Sequence, residues 1–404
     1  MKKSGKKRIE LFDGFSTRSI HAGEERNRYA DSLTTPIVQT STYTFKDSRE
    51  IKEFTSKKKD RFEYGRYGNP TEKVAQQRLA DLEGAEDCLI FSSGMSAITT
   101  TILALIRTGD HIIITDDAYK KTLEFCNAYL ARFGVECTVV PFGDYALLEH
   151  SIQKNTRFII SESPTNPYLN IFDLEKLKKI ARKRDVLTII DSTFATPYNQ
   201  RPIDFGVDLV MQSCTKYLAG HNDILAGSIA GRNELVEEVR KMHKGMGGLI
   251  DPHCCYLLLR GLKTFPLRIE RQNESAMAIA RFLEKHPMIR KVYYPGLKSH
   301  CHHTIARKQM RGYGGVVTFE MDGTLKTANW FLDALQLLYI APSLGGVESL
   351  ITHPATVSYY DYSRKERYSL GITDTLIRLA AGVEDCDDII NDLRQALDYC
   401  KSRR

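Results

Sequence analysis

Two residues set the question. Lys216 stands in the segment SCTKYLAGH, directly after an apolar run and between the hydroxyl residues Ser213 and Thr215. Asp191, 25 positions earlier, closes a second apolar run in VLTIIDSTFATP. A lysine amine can bond an aldehyde as a Schiff base. A carboxylate can hold an aromatic ring nitrogen in its protonated form, so that the ring withdraws electrons; a pyridoxal coenzyme needs both. The amine must be partly neutral to act, and burial near other cations lowers its pKa toward that state. Each residue alone has an ordinary reading, Asp191 as a turn cap through Ser192 and Thr193 and Lys216 as a surface charge.

A phosphorylated ring also needs an anion cup. FSSGMSA (91–97) follows an apolar run and opens a helical pattern. Gly94 lets backbone come close, and the free N–H groups around Gly94 and Met95 suit a phosphate dianion. Ser213 and Thr215 can add hydroxyl donors. Tyr119 follows another apolar run, where an aromatic ring could stack on the pyridine or simply line a rim. Asn166, in SESPTNP (161–167), could hydrogen-bond a phenolic oxygen, or its prolines could mark a plain turn. Arg378, in the apolar run LIRLAAG (376–382), needs an anion. A substrate carboxylate suits its fork, and an internal salt bridge with Glu384 or Asp385 is the alternative. No G-x-G-x-x-G or Walker loop is present, which removes the main support for nicotinamide or nucleoside-triphosphate binding.

These residues require a scaffold. Apolar, β-rich runs at 89–92, 112–115, 138–141, 158–161, 187–191 and 209–212 alternate with helical patterns at 97–107, 120–133 and 174–184. Such alternation predicts an α/β fold with a mostly parallel sheet and helices on both faces, its ligand outside the carboxyl ends of the strands. Beyond about 261 a long helical pattern (267–285) precedes β-like runs at 292–294 and 315–321 and helices at 325–337 and 385–401. We divide the chain into an N-terminal arm (1–62), an α/β domain (63–261) and a smaller C-terminal α+β domain (262–404).

The 404 residues are 42% hydrophobic, ample for a large core. No apolar run reaches eighteen residues, and the basic start MKKSGKKRIE lacks the apolar stretch of a secretory signal, reading instead as a frayed solvated end. The net charge of +7 is mild and suits small anions without calling for nucleic acid or membrane. Nine scattered cysteines form no CxxC pair, which points to a reducing, cytoplasmic setting. The CHH at 301–303 reads as a surface turn, and no metal is expected.

Taken together, the segments FEYGRYGNPT (62–71), FSSGMSA, DAYKKT (117–122), SESPTNPYL (161–169), DSTFATPYNQ (191–200), SCTKYLAGHNDILAG (213–227), VYYPGLKSH (292–300), YIAPSLGGVES (339–349) and LIRLAAGVED (376–385) resemble the Cys/Met-metabolism family of pyridoxal-phosphate enzymes. They are most similar to its cystathionine γ-synthase branch, the plant type in particular. The resemblance runs from about Ser16 to Leu397. It implies a fold-type I transferase with Lys216, Tyr119 and Asp191 catalytic. Lys216 would carry pyridoxal 5'-phosphate, Asp191 would face the pyridine nitrogen with Thr193 beside it, and Tyr119 would stack on the ring. Gly94, Met95, Ser213 and Thr215 would hold the phosphate, joined by Tyr64 and Arg66 of a neighbouring subunit in a homotetramer built as a dimer of dimers. Asn166, Ser343 and Arg378 would bind cofactor oxygen and substrate carboxylate. GHNDILAG looks like the synthases, and Pro342 replaces the glutamate of many bacterial synthases and γ-lyases. The implied reaction is γ-replacement, joining an O-activated L-homoserine with L-cysteine; a cystathionine or methionine γ-lyase and an O-acylhomoserine sulfhydrylase are the rivals.

Overall fold

The computed structural model describes residues 13–403, so the basic start of the chain lies outside the described residues. Seven strands build the larger sheet: β1 (Asp87–Phe91), β2 (His111–Thr115), β3 (Glu136–Val140), β4 (Thr156–Glu162), β5 (Leu187–Asp191), β6 (Leu209–Gln212) and β7 (Gly227–Gly231). Their order is β1-β7-β6-β5-β4-β2-β3. The strands from β3 to β6 run parallel, and β7 lies antiparallel to both β6 and β1. The central strands HIIIT and TRFIISE are buried along nearly their whole length, as continuous β-branched runs covered by helices on both faces should be. Glu162 is level with Asp191, and Asp191 with Met211, so the carboxyl ends of β4, β5 and β6 finish together. β7 (GSIAG) carries too little apolar bulk to read as a strand in the sequence, yet it is fully buried.

The smaller sheet joins β8 (Ile289–Tyr293), β9 (Val316–Met321), β10 (Tyr339–Ile340), β11 (Leu350–Thr352) and β12 (Leu376–Ala380) in the order β10-β11-β12-β9-β8. All pairs are antiparallel except β10 with β11. One apolar cluster runs through both sheets' neighbourhoods, uniting Leu79, Tyr217, Phe265, Ile279, Phe319 and Leu393. Within it the helix Phe265–Glu284 packs against β8, β9 and the helix Cys386–Ser402. This shared core fixes one sheet against the other, and residues that meet across it need not be close in sequence.

Two expectations change in the structure. The helix anticipated over 120–133 is helical only through Lys120–Glu124. It continues as a π-wound stretch Phe125–Tyr129 and a 3-10 turn Leu130–Phe133, ended by Gly134 in the left-handed region (φ 70°). Cys126 and Leu130, four apart, stay buried under this winding, so the apolar pattern could not distinguish it from an α-helix. The stretch before Phe62 is also not one uniform arm. The helix Phe15–His21 packs on its own chain, with Arg18 paired to Asp81 at 2.8 Å and the Ser19 hydroxyl donating to the Leu262 carbonyl at 2.5 Å. Farther on, Tyr29 and Leu33 stand exposed.

Candidate active site

The carboxyl ends of β5 and β6 and the start of the helix after β1 converge. Asp191 Oδ1 accepts two bonds from Thr193, from its N–H at 3.0 Å and its hydroxyl at 2.6 Å. The same hydroxyl accepts from the Ser213 N–H at 2.8 Å, so Thr193 ties the end of β5 to the turn after β6. The capping role foreseen for Asp191 is therefore real, and it occupies one carboxylate oxygen; Oδ2 takes no donor from the described residues. Burial pushes the Asp191 carboxyl up, while the Thr193 bonds pull it back down.

The helix Gly94–Leu105 is capped by Ser93, whose hydroxyl accepts from the Ser96 N–H at 3.0 Å. Gly94 and Met95 thus present the first free N–H groups of a twelve-residue helix. A Cβ on Gly94 would lie 3.1 Å from both Met211 Cε and Ser213 Cβ, and 3.2 Å from Ser213 Oγ. A side chain there would fill the cradle, and Ser213 is the hydroxyl beside it. Thr215 is engaged elsewhere: its hydroxyl donates to the Ala226 carbonyl at 3.2 Å and accepts from the Ala226 N–H at 2.9 Å. Gly227 holds the two sides of the cup close, since a Cβ on it would sit 2.3 Å from the Ser93 carbonyl oxygen.

Lys216 lies in the turn after β6 and points across to the smaller sheet's loops. Its Nζ donates to Ser343 Oγ at 2.7 Å. Burial pushes its pKa down to about 8, and the positive charge of Arg378 adds to the effect. It is no surface charge. Its neighbour Tyr217 is fully buried and anchors this turn, its hydroxyl accepting the Gly315 N–H at 3.1 Å. Ser343 itself has φ of 106°, in the region that favours glycine, so its placement costs backbone strain.

Arg378, on β12, closes the set. Its Nη1 donates to Asn166 Oδ1 at 3.0 Å and its Nη2 to the Ser343 carbonyl at 2.8 Å, while its buried Nε finds no partner. Burial lowers its pKa to about 10, and Glu162 and the phenols of Tyr217 and Tyr119 act in the opposite direction. The alternative of an internal salt bridge fails: Glu384 accepts from Ser349, and Asp385 pairs with Arg271.

Tyr119 begins the short helix Lys120–Glu124 and is 46% exposed, an open ring face at the rim. Its backbone N–H bonds Glu162, which the sequence reading passed over. Glu162 ends β4 level with Asp191, has an unpartnered Oε2, and is pushed well above the carboxylate range by burial and then by Asp191 and Asp117. A carboxylate at the end of a buried strand was the available signal, the one that singled out Asp191. Asp117 accepts from Thr165 at 2.6 Å and Asn170 at 2.8 Å, which ties the loop bearing Tyr119 to the one bearing Asn166.

Tyr64 and Arg66 do not join this cluster. Both are exposed, the Arg66 guanidinium lies 5.6 Å from the Tyr64 ring centre, and its Nη2 donates to the Tyr67 hydroxyl at 3.2 Å. Farther away, ligand atoms of His300, Cys301 and His302 fall within 4.8 Å of one another. His300 spends both ring nitrogens on the Tyr168 carbonyl (3.3 Å) and the His302 N–H (3.2 Å), which leaves it no lone pair for a metal. Only Cys301 of the three is exposed, so the turn is half-buried rather than a surface turn throughout.

A depressed amine, a buried carboxylate with a free oxygen, a glycine cradle at a helix N-terminus and an arginine with bonding capacity to spare fit pyridoxal phosphate, both in charge and in donor type. The fold and site define a pyridoxal-phosphate-dependent enzyme. Comparison with known proteins narrows the class. Residues 16–398 match the family described as Cys/Met metabolism PLP-dependent enzymes. Cystathionine γ-synthase 1, chloroplastic, of Nicotiana tabacum is 48% identical over 383 residues, covering 94% of this chain and 71% of that protein. The L-methionine γ-lyase of Fusobacterium nucleatum subsp. nucleatum is 42% identical, covering 95% of this chain and 98% of that one. The crystal structure of metB from Corynebacterium glutamicum superposes with a TM-score of 0.89 at 37% identity, over 96% of this chain and 98% of that chain. The chain belongs to the Cys/Met metabolism family of PLP-dependent enzymes.

Proposed function

We propose that this enzyme performs γ-replacement, joining an O-activated L-homoserine with L-cysteine to give L-cystathionine. The observation that carries this reading is the 48% identity with a cystathionine γ-synthase across 94% of the chain, against 42% for a γ-lyase. Pro342, exposed just before Ser343, departs from the glutamate of many bacterial synthases and γ-lyases alike, and so agrees with the plant type of synthase in particular.

When bound, the pyridoxal ring acts as an electron sink for negative charge at the substrate's α and β carbons. In our reading Asp191 would hold the ring nitrogen, and the Thr193 bonds to Oδ1 orient the carboxylate for it. Gly94, Met95 and Ser213 hold the phosphate, with Thr215 joining when its hydroxyl turns from Ala226. Tyr119 covers the ring. The Arg378 fork takes the substrate α-carboxylate, with Asn166 and Ser343 holding the fork in place. Lys216 would be the base: its amine would remove the proton at Cα and move a proton at Cβ. The Cγ–O bond then breaks, and the ester group departs with its oxygen. The cysteine thiol adds at Cγ to form the C–S bond, its proton balancing the leaving group. Lys216 returns the protons in reverse order. A lysine with pKa near 8 is suited to both directions at neutral pH.

The exposed Tyr64 and Arg66, bonded to nothing in the cluster of their own chain, support a role in the neighbouring subunit's phosphate site. On that basis we read the chain as a homotetramer, a dimer of dimers in which the exposed part of the N-terminal arm about Tyr29 and Leu33 reaches the next subunit, 63–261 bind the cofactor and 262–404 complete the substrate side. None of the nine cysteines, all of them among the described residues, is joined in a disulfide, which supports a reducing location such as the cytoplasm. No helix among the described residues is long and apolar enough to cross a membrane.

Product analysis tests the reaction. O-phospho-, O-succinyl- and O-acetylhomoserine are each offered with cysteine and with sulfide. L-cystathionine from at least one ester with cysteine is the expected result. Turnover with sulfide alone would mark a sulfhydrylase, and ammonia with a 2-oxo acid from cystathionine or methionine alone would mark a lyase.

A further inference from the structure

We propose that Cys126 and Cys137 form an oxidisable thiol pair, a modification site that closes to a disulfide on contact with a peroxide. The two come from different elements. Cys126 is buried in the π-wound stretch Phe125–Tyr129, and Cys137 is half-buried on β3, the last strand of the larger sheet. Their thiols are close enough to shift one another's ionisation. Both line one cavity of about 390 Å³, together with Asn127, Ala131, Gly134 and Glu136, and this cavity admits a small oxidant. It lies apart from Lys216, Asp191 and Arg378.

Their interaction makes the two sulfurs unequal. Cys137 is lowered because the Cys126 S–H stabilises its thiolate, although burial opposes this, and Cys126 is raised by the same interaction and by burial. Thiolate character with partial access is what selects a cysteine for oxidation, and a second thiol alongside resolves the product. The Cys137 thiolate attacks one oxygen of hydrogen peroxide. An S–O bond forms, the O–O bond breaks, and hydroxide leaves with the proton Cys137 had given up. The Cys126 thiol then attacks the sulfenic sulfur, forming the S–S bond, and its proton leaves with the displaced hydroxyl as water. Two thiols are oxidised and one peroxide is reduced to two waters.

The other cysteines lack this combination. Cys88, Cys214, Cys255 and Cys400 are buried, and the half-buried Cys254 and Cys386 have thiols that burial pushes up. Cys301 is the exposed one, with its sulfur near Asn170 and His302. Access alone would make Cys301 react first, and the thiol pair reverses that order. The winding matters too, because the π-stretch places Cys126 against the edge strand on a segment that begins one residue after Tyr119. The disulfide would pin that segment to β3.

The test treats cofactor-loaded enzyme with a few equivalents of hydrogen peroxide, alkylates the remaining thiols and maps the peptides by mass. A cross-linked pair joining Cys126 to Cys137, two hydrogens lighter and reverted by dithiothreitol, is expected. Loss of the free Cys137 thiol should be about tenfold faster than loss of Cys301. In Cys126→Ala, Cys137 should instead yield a dimedone adduct of the sulfenic acid, which separates the attacking sulfur from the resolving one. The proposal fails if Cys301 oxidises while both peptides stay alkylated, or if Cys137 proceeds to sulfinic acid with Cys126 still present and free. Neither result depends on which homoserine ester the enzyme uses.

Discussion

The two halves of the proposed site are built in opposite ways. On the cofactor side, Asp191, Thr193, Ser213 and Lys216 lie within 26 consecutive positions, at the level ends of two adjacent parallel strands. Short bonds between near neighbours hold them, and the buried sheet behind them leaves little room to move. On the substrate side, Lys216 meets Ser343 across 127 positions, and Arg378 meets Asn166 across 212. There the residues come from loops and from the central strand of the smaller sheet, Ser343 sits in a strained backbone conformation, and Arg378 keeps one buried N–H unpaired. The difference teaches that the first half can be set by strand register alone. The second exists only when the shared core docks one sheet against the other.

This contrast can be broken or sharpened by experiment. Lys216→Ala touches both halves and should have the largest effect: loss of the visible cofactor band and a drop in turnover of roughly 10²–10⁴-fold. A retained band would place the anchoring amine elsewhere. Asp191→Asn, a change within the cofactor half, keeps the shape and removes the charge. Turnover should fall about tenfold to a hundredfold, in line with about 1.5–3 kcal/mol for a hydrogen bond to a charged group. The ring's absorbance should shift with it. Arg378→Lys should raise KM for the amino acid about tenfold and leave the cofactor band intact, because a lysine cannot reproduce the fork. If that variant also lost the cofactor, the two halves would not be separable.

A pH series isolates the amine shared by both. Only neutral Lys216 can bond an aldehyde, and its pKa is lowered to about 8. The rate of cofactor uptake by stripped protein should therefore rise as pH approaches about 8 from below and level off above it. A plateau reached only near the ordinary lysine range would mean that the amine is not buried in solution. The smallest effect belongs to the rim. Lys120 holds Asp361 at 2.7 Å with its ammonium 4.2 Å from the Tyr362 ring centre, next to Tyr119. The pair is partly solvated and its charges are screened by water, so Lys120→Met should change kcat/KM no more than about fivefold. A larger loss would show that the substrate half extends over this rim.

The same contrast explains what could be read in the sequence. β4, β5 and β6 are visible as apolar runs, and chemistry placed at their ends follows from fold logic, so Lys216 and Asp191 could be found without coordinates. Glu162 obeys that rule and was overlooked among the prolines and hydroxyls of SESPTNP. The strand Gly227–Gly231 was hidden because Gly, Ser and Ala fill four of its five positions, where packing leaves no room for bulk. Arg378 could be singled out as a charge in an apolar run. The position of Ser343 against Lys216, the pairing of Arg378 with Asn166 and the second engagement of Thr215 could not, since nothing local encodes contacts across the core.

Gly227 has a consequence beyond its own strand. Because its missing side chain is what allows β7 to lie against Ser93, the spacing between the helix tip and the turn after β6 is a manufactured dimension, like the gap of a spark plug. Adding one methyl group there would alter no reacting atom and no polar partner. It would still widen the gap, and the enzyme would lose its grip on the coenzyme while remaining folded and chemically complete. Searches for inactivating variants confined to charged or conserved-looking polar positions would miss it.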